Sequence, residues 1–180
     1  MKKQLAILTT LAVLLIVLSG CGQSFASGEI FDSSKVLIAE AKAGITEISY
    51  EDFRHKMESG ELRILIDVRE ADEFEEGYIN QPNEAYEYPY PETFTVNIPR
   101  GFLEFRIADC KYWDYDLWVE MPAKDEEIVL YSMTGERSAL AAFTLQQMGY
   151  SKVLNLKGGY MKWLDPTASE TEDSDKSSGG

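Results

Sequence analysis

The chain has 180 residues, enough for one domain with a proper core and too few for two. A hydrophobic fraction of 44% with 12% aromatics excludes wholesale disorder. The formal net charge of −14 repels phosphate backbones and argues against a nucleic-acid partner, and two cysteines, Cys21 and Cys110, build neither a disulfide framework nor a metal cluster.

Met1-Lys2-Lys3 followed by an apolar run over residues 5–18 has the form of a secretory signal: charged start, hydrophobic middle, small residues at the end. The run is short for a membrane span. Leu18-Ser19-Gly20-Cys21 resembles the lipobox of bacterial lipoproteins. That resemblance implies removal of residues 1–20, a diacylglyceryl group on the Cys21 sulfur and an acyl chain such as palmitate on the new amino group. Several acyl chains hold a protein firmly where one is marginal. The expected location is extracytoplasmic, on the cell membrane or the outer membrane, and Gly22 lacks the aspartate that often signals inner-membrane retention. The mature chain carries fifteen bases against thirty-one acids, a net charge of −16.

Residues 21–43 read as a tether. Its apolar patch, Val36-Leu37-Ile38-Ala39, is either a short helix docked on the domain or part of a spacer, and the reading favours a spacer with a helical turn. The domain proper spans 44–165. Residues 44–48 form a short strand, and Ser49 with Asp52 resembles a capping box for a helix with Phe53 and Met57 on one face, closed by Gly60. Residues 62–68 are nearly continuous aliphatic, as in a central parallel strand covered on both faces. A short polar helix over 69–76 turns Phe74 inward and stops at Gly77. A brief strand over 96–99 ends at Pro99, and 101–107 is helical, with Phe102, Leu103 and Phe105 directed to the core. Residues 112–121 are aromatic-rich and irregular or helical, with Tyr112, Trp113, Tyr115 and Trp118 read as core packing. Residues 127–131 are a buried strand, 138–148 a helix with Gly149 at C′, 152–156 the last strand, and Gly158-Gly159 opens a final short helix through Trp163. Strands alternating with helices over short links predict an α/β fold: a parallel sheet of about five strands with helices on both faces. The insert at 80–95, with three prolines and three tyrosines, shows no helix or strand period. Its rings either pack on the domain or cover the mouth of a site and receive a partner. The acidic tail, 166–180, has the composition of a disordered segment.

The loop between the fourth strand and the following helix, Ser132-Met133-Thr134-Gly135-Glu136-Arg137, has the shape of an anion cradle. A tight turn aims N–H groups inward, the helix start presents its positive dipole end, and Arg137 offers a planar donor fork. With this loop and its flanks in place, residues 45–164 resemble a single rhodanese domain, the sulfurtransferase fold. The matching motifs, in order, are Asp67-Val68-Arg69-Glu70 with Glu73-Phe74 and Gly77-Tyr78-Ile79; Asn97-Ile98-Pro99; Gly135, Arg137 and Ser138; and Gly158-Gly159 with Trp163. The resemblance implies a loop that opens on a cysteine and carries sulfane sulfur as a persulfide cradled by loop N–H groups.

This chain has Ser132 at that position. A cationic loop can lower a thiol pKa from about 8.5 and so supply a thiolate. A serine hydroxyl is far less acidic, is a poor nucleophile without a base, and cannot hold sulfur as a persulfide. Four residues separate Ser132 from Arg137, the spacing that resembles sulfur-transferring rhodaneses; the phosphatase relatives carry one more. Tyr78 also stands where the family commonly has histidine. Cys110 is the one thiol left after lipidation, outside the loop and read as a half-buried structural cysteine. His55, the lone histidine, lies on the exposed side of its helix, against a Ser132-based triad.

The expectation is a lipid-anchored rhodanese-like domain without thiosulfate sulfurtransferase activity, with no cofactor and no metal. Its loop would bind a small oxyanion such as thiosulfate or sulfate, or its aromatic rim an envelope protein. The alternatives are an active sulfurtransferase or redox enzyme using Cys110 or a partner's thiol, and a structural domain of an envelope assembly. Arg137 bonding to carbonyls of its own loop competes evenly with its binding an anion.

Overall fold

The structure is a computed structural model that describes residues 33–167. The signal segment, Cys21, most of the tether and the tail from residue 168 lie outside the described residues.

Five parallel strands form one sheet: β1 (Thr46–Ile48), β2 (Ile64–Asp67), β3 (Phe94–Asn97), β4 (Glu127–Tyr131) and β5 (Lys152–Leu156), in the spatial order β1-β5-β4-β2-β3. Each of the four parallel connections therefore needs a crossover, and helices α2 (Tyr50–Glu58), α3 (Ala71–Glu75), α4 (Leu103–Arg106) and α5 (Glu136–Gln147) lie in them, while α1 (Ser34–Gly44) precedes β1 and α6 (Gly159–Leu164) follows β5. Alternation along the central strands divides the core. Ile64, Ile66, Val68, Ile128 and Leu130 face a cluster with Leu103, Ile107, Trp113, Ala141, Ala142 and Leu145. Leu65, Val129 and Tyr131 face the other way, onto Phe53 and Met57 of α2 with Ile79, and onto Tyr160 and Trp163 of α6. The expected parallel α/β sheet with helices on both faces is the observed one.

Four sequence expectations need correction. Residues 34–44 are not spacer: they form α1, capped by the Ser33 hydroxyl, with Ala41 buried and Gly44 against the Phe143 ring of α5. Most of its other residues stay exposed, so its sequence lacks a continuous apolar stripe and reads as tether. Phe102 and Phe105 are exposed, because α4 is a single turn behind a 3₁₀ turn (Arg100–Phe102) and only Leu103 and Ile107, four apart, share its inward face. Of the second aromatic group Trp113 alone is fully buried. The chain there makes a π-helical turn (Tyr112–Leu117) that leaves Tyr115 and Trp118 outside. Cys110 is exposed rather than half-buried.

The insert divides its rings. The Asn80 side chain, on a residue with φ of 67°, donates to the carbonyls of Tyr90 and Thr93 at 3.0 and 2.8 Å and accepts the Tyr90 N–H at 2.9 Å. Tyr90 is thereby pinned edge-on to Trp163, while Tyr86, 87% exposed, and Tyr88 project from the loop.

Candidate functional site

In a parallel sheet the carboxyl ends of all strands lie at one edge, where open α/β folds bind ligands. Asp67, the last residue of β2, is in register with Asn97 of β3 and Tyr131 of β4, so the segments that follow these strands meet there. The Asn97 side chain ties this edge together by donating to the carbonyls of Asp67 and Arg69 at 3.1 and 3.0 Å.

The loop after β4 closes on itself through Ser132. Its hydroxyl oxygen accepts the N–H of Gly135 at 3.2 Å and that of Ser138 at 3.3 Å, and lies 3.2 Å from the Ser138 hydroxyl. Ser138 sits in the first turn of α5, so Ser132 Oγ satisfies one of the N–H groups that a helix start leaves without a partner. Ser132 is only 1% exposed. Gly135 takes a left-handed φ of 91°, and its carbonyl accepts the Asn155 side-chain amide at 3.1 Å and the Ala139 N–H at 3.1 Å.

A second helix start supports the loop from below. The N–H groups of Tyr160 and Met161 donate to the carbonyls of Ser132 and Met133 at 2.8 and 3.0 Å. This approach requires Gly159: at φ +57° a Cβ there would stand 2.2 Å from the Ser132 oxygen and 2.8 Å from the Gly135 nitrogen.

Arg137 turns to α3. Its two terminal nitrogens each bond a carboxylate oxygen of Glu73 at 2.6 Å, a bidentate pair of partly exposed groups. Glu73 also accepts the Glu70 N–H at 3.0 Å as part of a capping box. The Arg137 guanidinium, ahead of the Glu70 N–H, holds the Glu73 carboxyl below the usual carboxylate range, and Glu73 in turn raises Arg137. Neither weighed role for Arg137, anion ligand or brace for loop carbonyls, is the contact it makes.

Beneath the loop lies a charge pair whose buried role the sequence reading missed. Arg69 and Asp67 are both essentially inaccessible. Arg69 Nη2 donates to Asp67 Oδ2 at 2.6 Å and to the Gly77 carbonyl at 2.7 Å, and its guanidinium lies 4.1 Å from the centre of the Tyr160 ring. Tyr131 accepts the Ile79 N–H at 3.2 Å. Burial first, then the neighbouring Asp67, pushes its phenol well above the ordinary tyrosine range, so it stays neutral. The Asp67-Val68-Arg69-Glu70 motif signalled this pair only as a pattern.

Of the remaining candidates, Met133 is half-buried, Thr134 exposed and Glu136 half-buried on the loop itself. His55 is exposed on α2, lining a shallow cleft with Thr46, Lys56 and Glu61 that contains none of the loop residues. Cys110 sits between α4 and the π-helical turn. Among the described residues no group of three or more His, Cys, Asp or Glu is placed to hold a metal ion. Cys21 lies outside the described residues.

The family model of the rhodanese-like domain matches residues 49–166. The chain belongs to the rhodanese-like domain family. It is 29% identical over 119 residues to a sulfurtransferase of Allochromatium vinosum, covering 66% of this chain and 88% of that protein. It is 30% identical over 129 residues to YrkF of Bacillus subtilis, covering 72% of this chain and spanning 56% of the length of YrkF. Among solved structures, the human single-domain sulfurtransferase TSTD1 superposes with a TM-score of 0.55 at 26% identity, over 68% of this chain and 97% of that one. A Rhodopseudomonas palustris protein of unknown function, described as a possible tyrosine phosphatase, gives a TM-score of 0.56 at 26% identity, over 83% and 98%.

Proposed function

We propose that this chain is a non-catalytic member of its family: a binding module held outside the cytoplasm by lipid on Cys21, without thiosulfate sulfurtransferase activity. One observation carries the reading. At the position that resembles the family's nucleophile stands the buried Ser132 hydroxyl, which holds the Gly135 and Ser138 N–H groups. Those donors would otherwise stabilise a sulfur anion. No base is in hydrogen-bonding contact with Ser132 among the described residues, where its hydroxyl meets only Gly135 and Ser138. The oxygen has neither the acidity nor the bonding to take up sulfane sulfur.

A protein partner is favoured over an oxyanion, because the loop's own groups occupy one another: Ser132 takes two N–H groups and Glu73 takes Arg137. Oxyanion binding by the remaining backbone of the helix start is the second reading, supported by the positive dipole end of α5. The full chain is tested for thiosulfate-to-cyanide sulfur transfer and for a rise in melting temperature with thiosulfate or sulfate. Absent transfer and an unmoved melting temperature support the partner reading. A shift with either anion supports the second, and transfer by the natural chain overturns both. Loss of lipid incorporation and release from the membrane fraction in Cys21→Ala tests the anchor separately.

A further inference from the structure

The segment 100–118 stands out from the fold as a lobe that presents rings to solvent. Phe102 is 59% exposed, Phe105 76%, Tyr115 71% and Trp118 84%. The lobe is a built object. The buried Trp113 donates from Nε1 to the Arg106 carbonyl at 3.0 Å, and the Arg106 guanidinium lies 4.7 Å from the centre of the Tyr112 ring and 3.9 Å from the Asp116 carboxylate. These contacts lock α4 to the π-helical turn, so the two pairs of outward rings are carried on one support. Phe102 and Phe105 lie three apart at the junction of the 3₁₀ turn with α4, and Tyr115 and Trp118 lie three apart on and just after the π-helical turn. Trp118 ends the π-helical turn with φ of 57°, a left-handed conformation that a bulky side chain rarely adopts. Trp118 is also the most exposed of the four rings.

We propose that this lobe is a lipid-contact surface, which sets its four rings in the headgroup region of a bilayer. The inference rests on the anchored reading above. Cys21 precedes Ser33, the first described residue, by twelve positions, a reach of at most about 40 Å. The anchor therefore confines the domain to within about its own diameter of the membrane. Tryptophan and tyrosine favour that interface, where an apolar ring and a polar edge are satisfied together. Charge does not drive the contact: Arg100 is bonded to Glu104 at 2.6 Å and Arg106 faces Asp116, and the chain as a whole is acidic. The favoured surface is zwitterionic, and salt leaves the contact nearly unchanged.

The three tryptophans, Trp113, Trp118 and Trp163, all lie in the domain, which supplies the assay. Full-length protein is mixed with excess vesicles of phosphatidylcholine brominated near the headgroup, and tryptophan quenching is compared with that of Trp118→Phe. The inference expects quenching in the natural chain that is insensitive to salt and falls at least about fivefold in Trp118→Phe, since Trp113 is buried and Trp163 lies on the opposite face. Equal quenching of the two proteins overturns it. So does a concentration-dependent blue shift of Trp118 emission without quenching, which assigns the lobe to a second copy of the chain. Flotation of Phe105→Ser/Trp118→Ser with the vesicles reports the anchor alone. A variant that floats without ring contact leaves the anchor intact, and one that does not float counts against the anchor, while the quenching comparison still decides the lobe.

Discussion

Arg137 and Glu73, sixty-four positions apart, form a bidentate ion pair with both bonds at 2.6 Å, and this pair joins the loop after β4 to the helix after β2. The last residue of the loop is therefore a clamp between two crossovers.

The clamp has a pH signature. Glu73 has a folded-state pKa lowered by Arg137 and by the Glu70 N–H, so it contributes stability that is fully present above the ordinary glutamate pKa of about 4.3. That contribution is lost as the pH falls from there through the lower folded value. Both side chains are partly exposed, so Glu73→Gln is expected to cost less than about 1 kcal/mol at neutral pH. Urea unfolding between pH 7 and pH 3 should show a shallower acid loss in the variant than in the natural chain.

Ser132→Ala removes the acceptor of two buried N–H groups, one of them that of Ser138 in the first turn of α5. The expected loss is about 1–2 kcal/mol by denaturant titration, with the fold retained. A neutral substitution would mean that the hydroxyl is not organising the loop.

Two glycines with left-handed backbone separate conformational strain from close approach. At Gly149, φ is 90° and nothing lies within 4 Å of where a methyl group would stand, so alanine costs about 1 kcal/mol from backbone preference alone. At Gly159 the same substitution drives Cβ into the Ser132 carbonyl, and the expected loss exceeds about 3 kcal/mol. Thermal unfolding of the two variants side by side reads the difference.

Asp67→Asn removes the countercharge of the buried Arg69 guanidinium and leaves it neutral acceptors, one amide oxygen and the Gly77 carbonyl. The expected cost is about 3–5 kcal/mol, because an uncompensated buried charge is left behind. Replacing both residues together by apolar ones is expected to cost less than the single change, which a double-mutant comparison tests.

The sheet was legible in the sequence wherever a strand carried its own pattern. The run that became β2 is nearly continuous aliphatic, β4 carries Ile128-Val129-Leu130 and β5 Val153-Leu154 with Leu156, and Gly135 and Gly158-Gly159 punctuate them at the loop and the last helix. What stayed hidden depends on the third dimension. Nothing local in Glu73 or Arg137 announces their pairing. The Gly158-Gly159 motif is visible, but its reason, the approach of a helix start to the Ser132 and Met133 carbonyls, is not. α1 was obscured because it buries little more than Ala41, too narrow a stripe to distinguish from a spacer. Phe102 and Phe105 misled in the opposite sense, since large apolar residues outside a core read as core until a surface is shown for them.

We propose that the loop is intact and lacks only its nucleophile. It is tested most directly by sulfur transfer from thiosulfate to cyanide, measured on the natural chain and on Ser132→Cys under the same conditions. An inert natural chain and a gain of activity in the variant are expected, since the new sulfur would meet the Gly135 and Ser138 N–H groups now held by oxygen. Activity in the natural chain would contradict it and make Cys110, the exposed thiol, the residue to replace next.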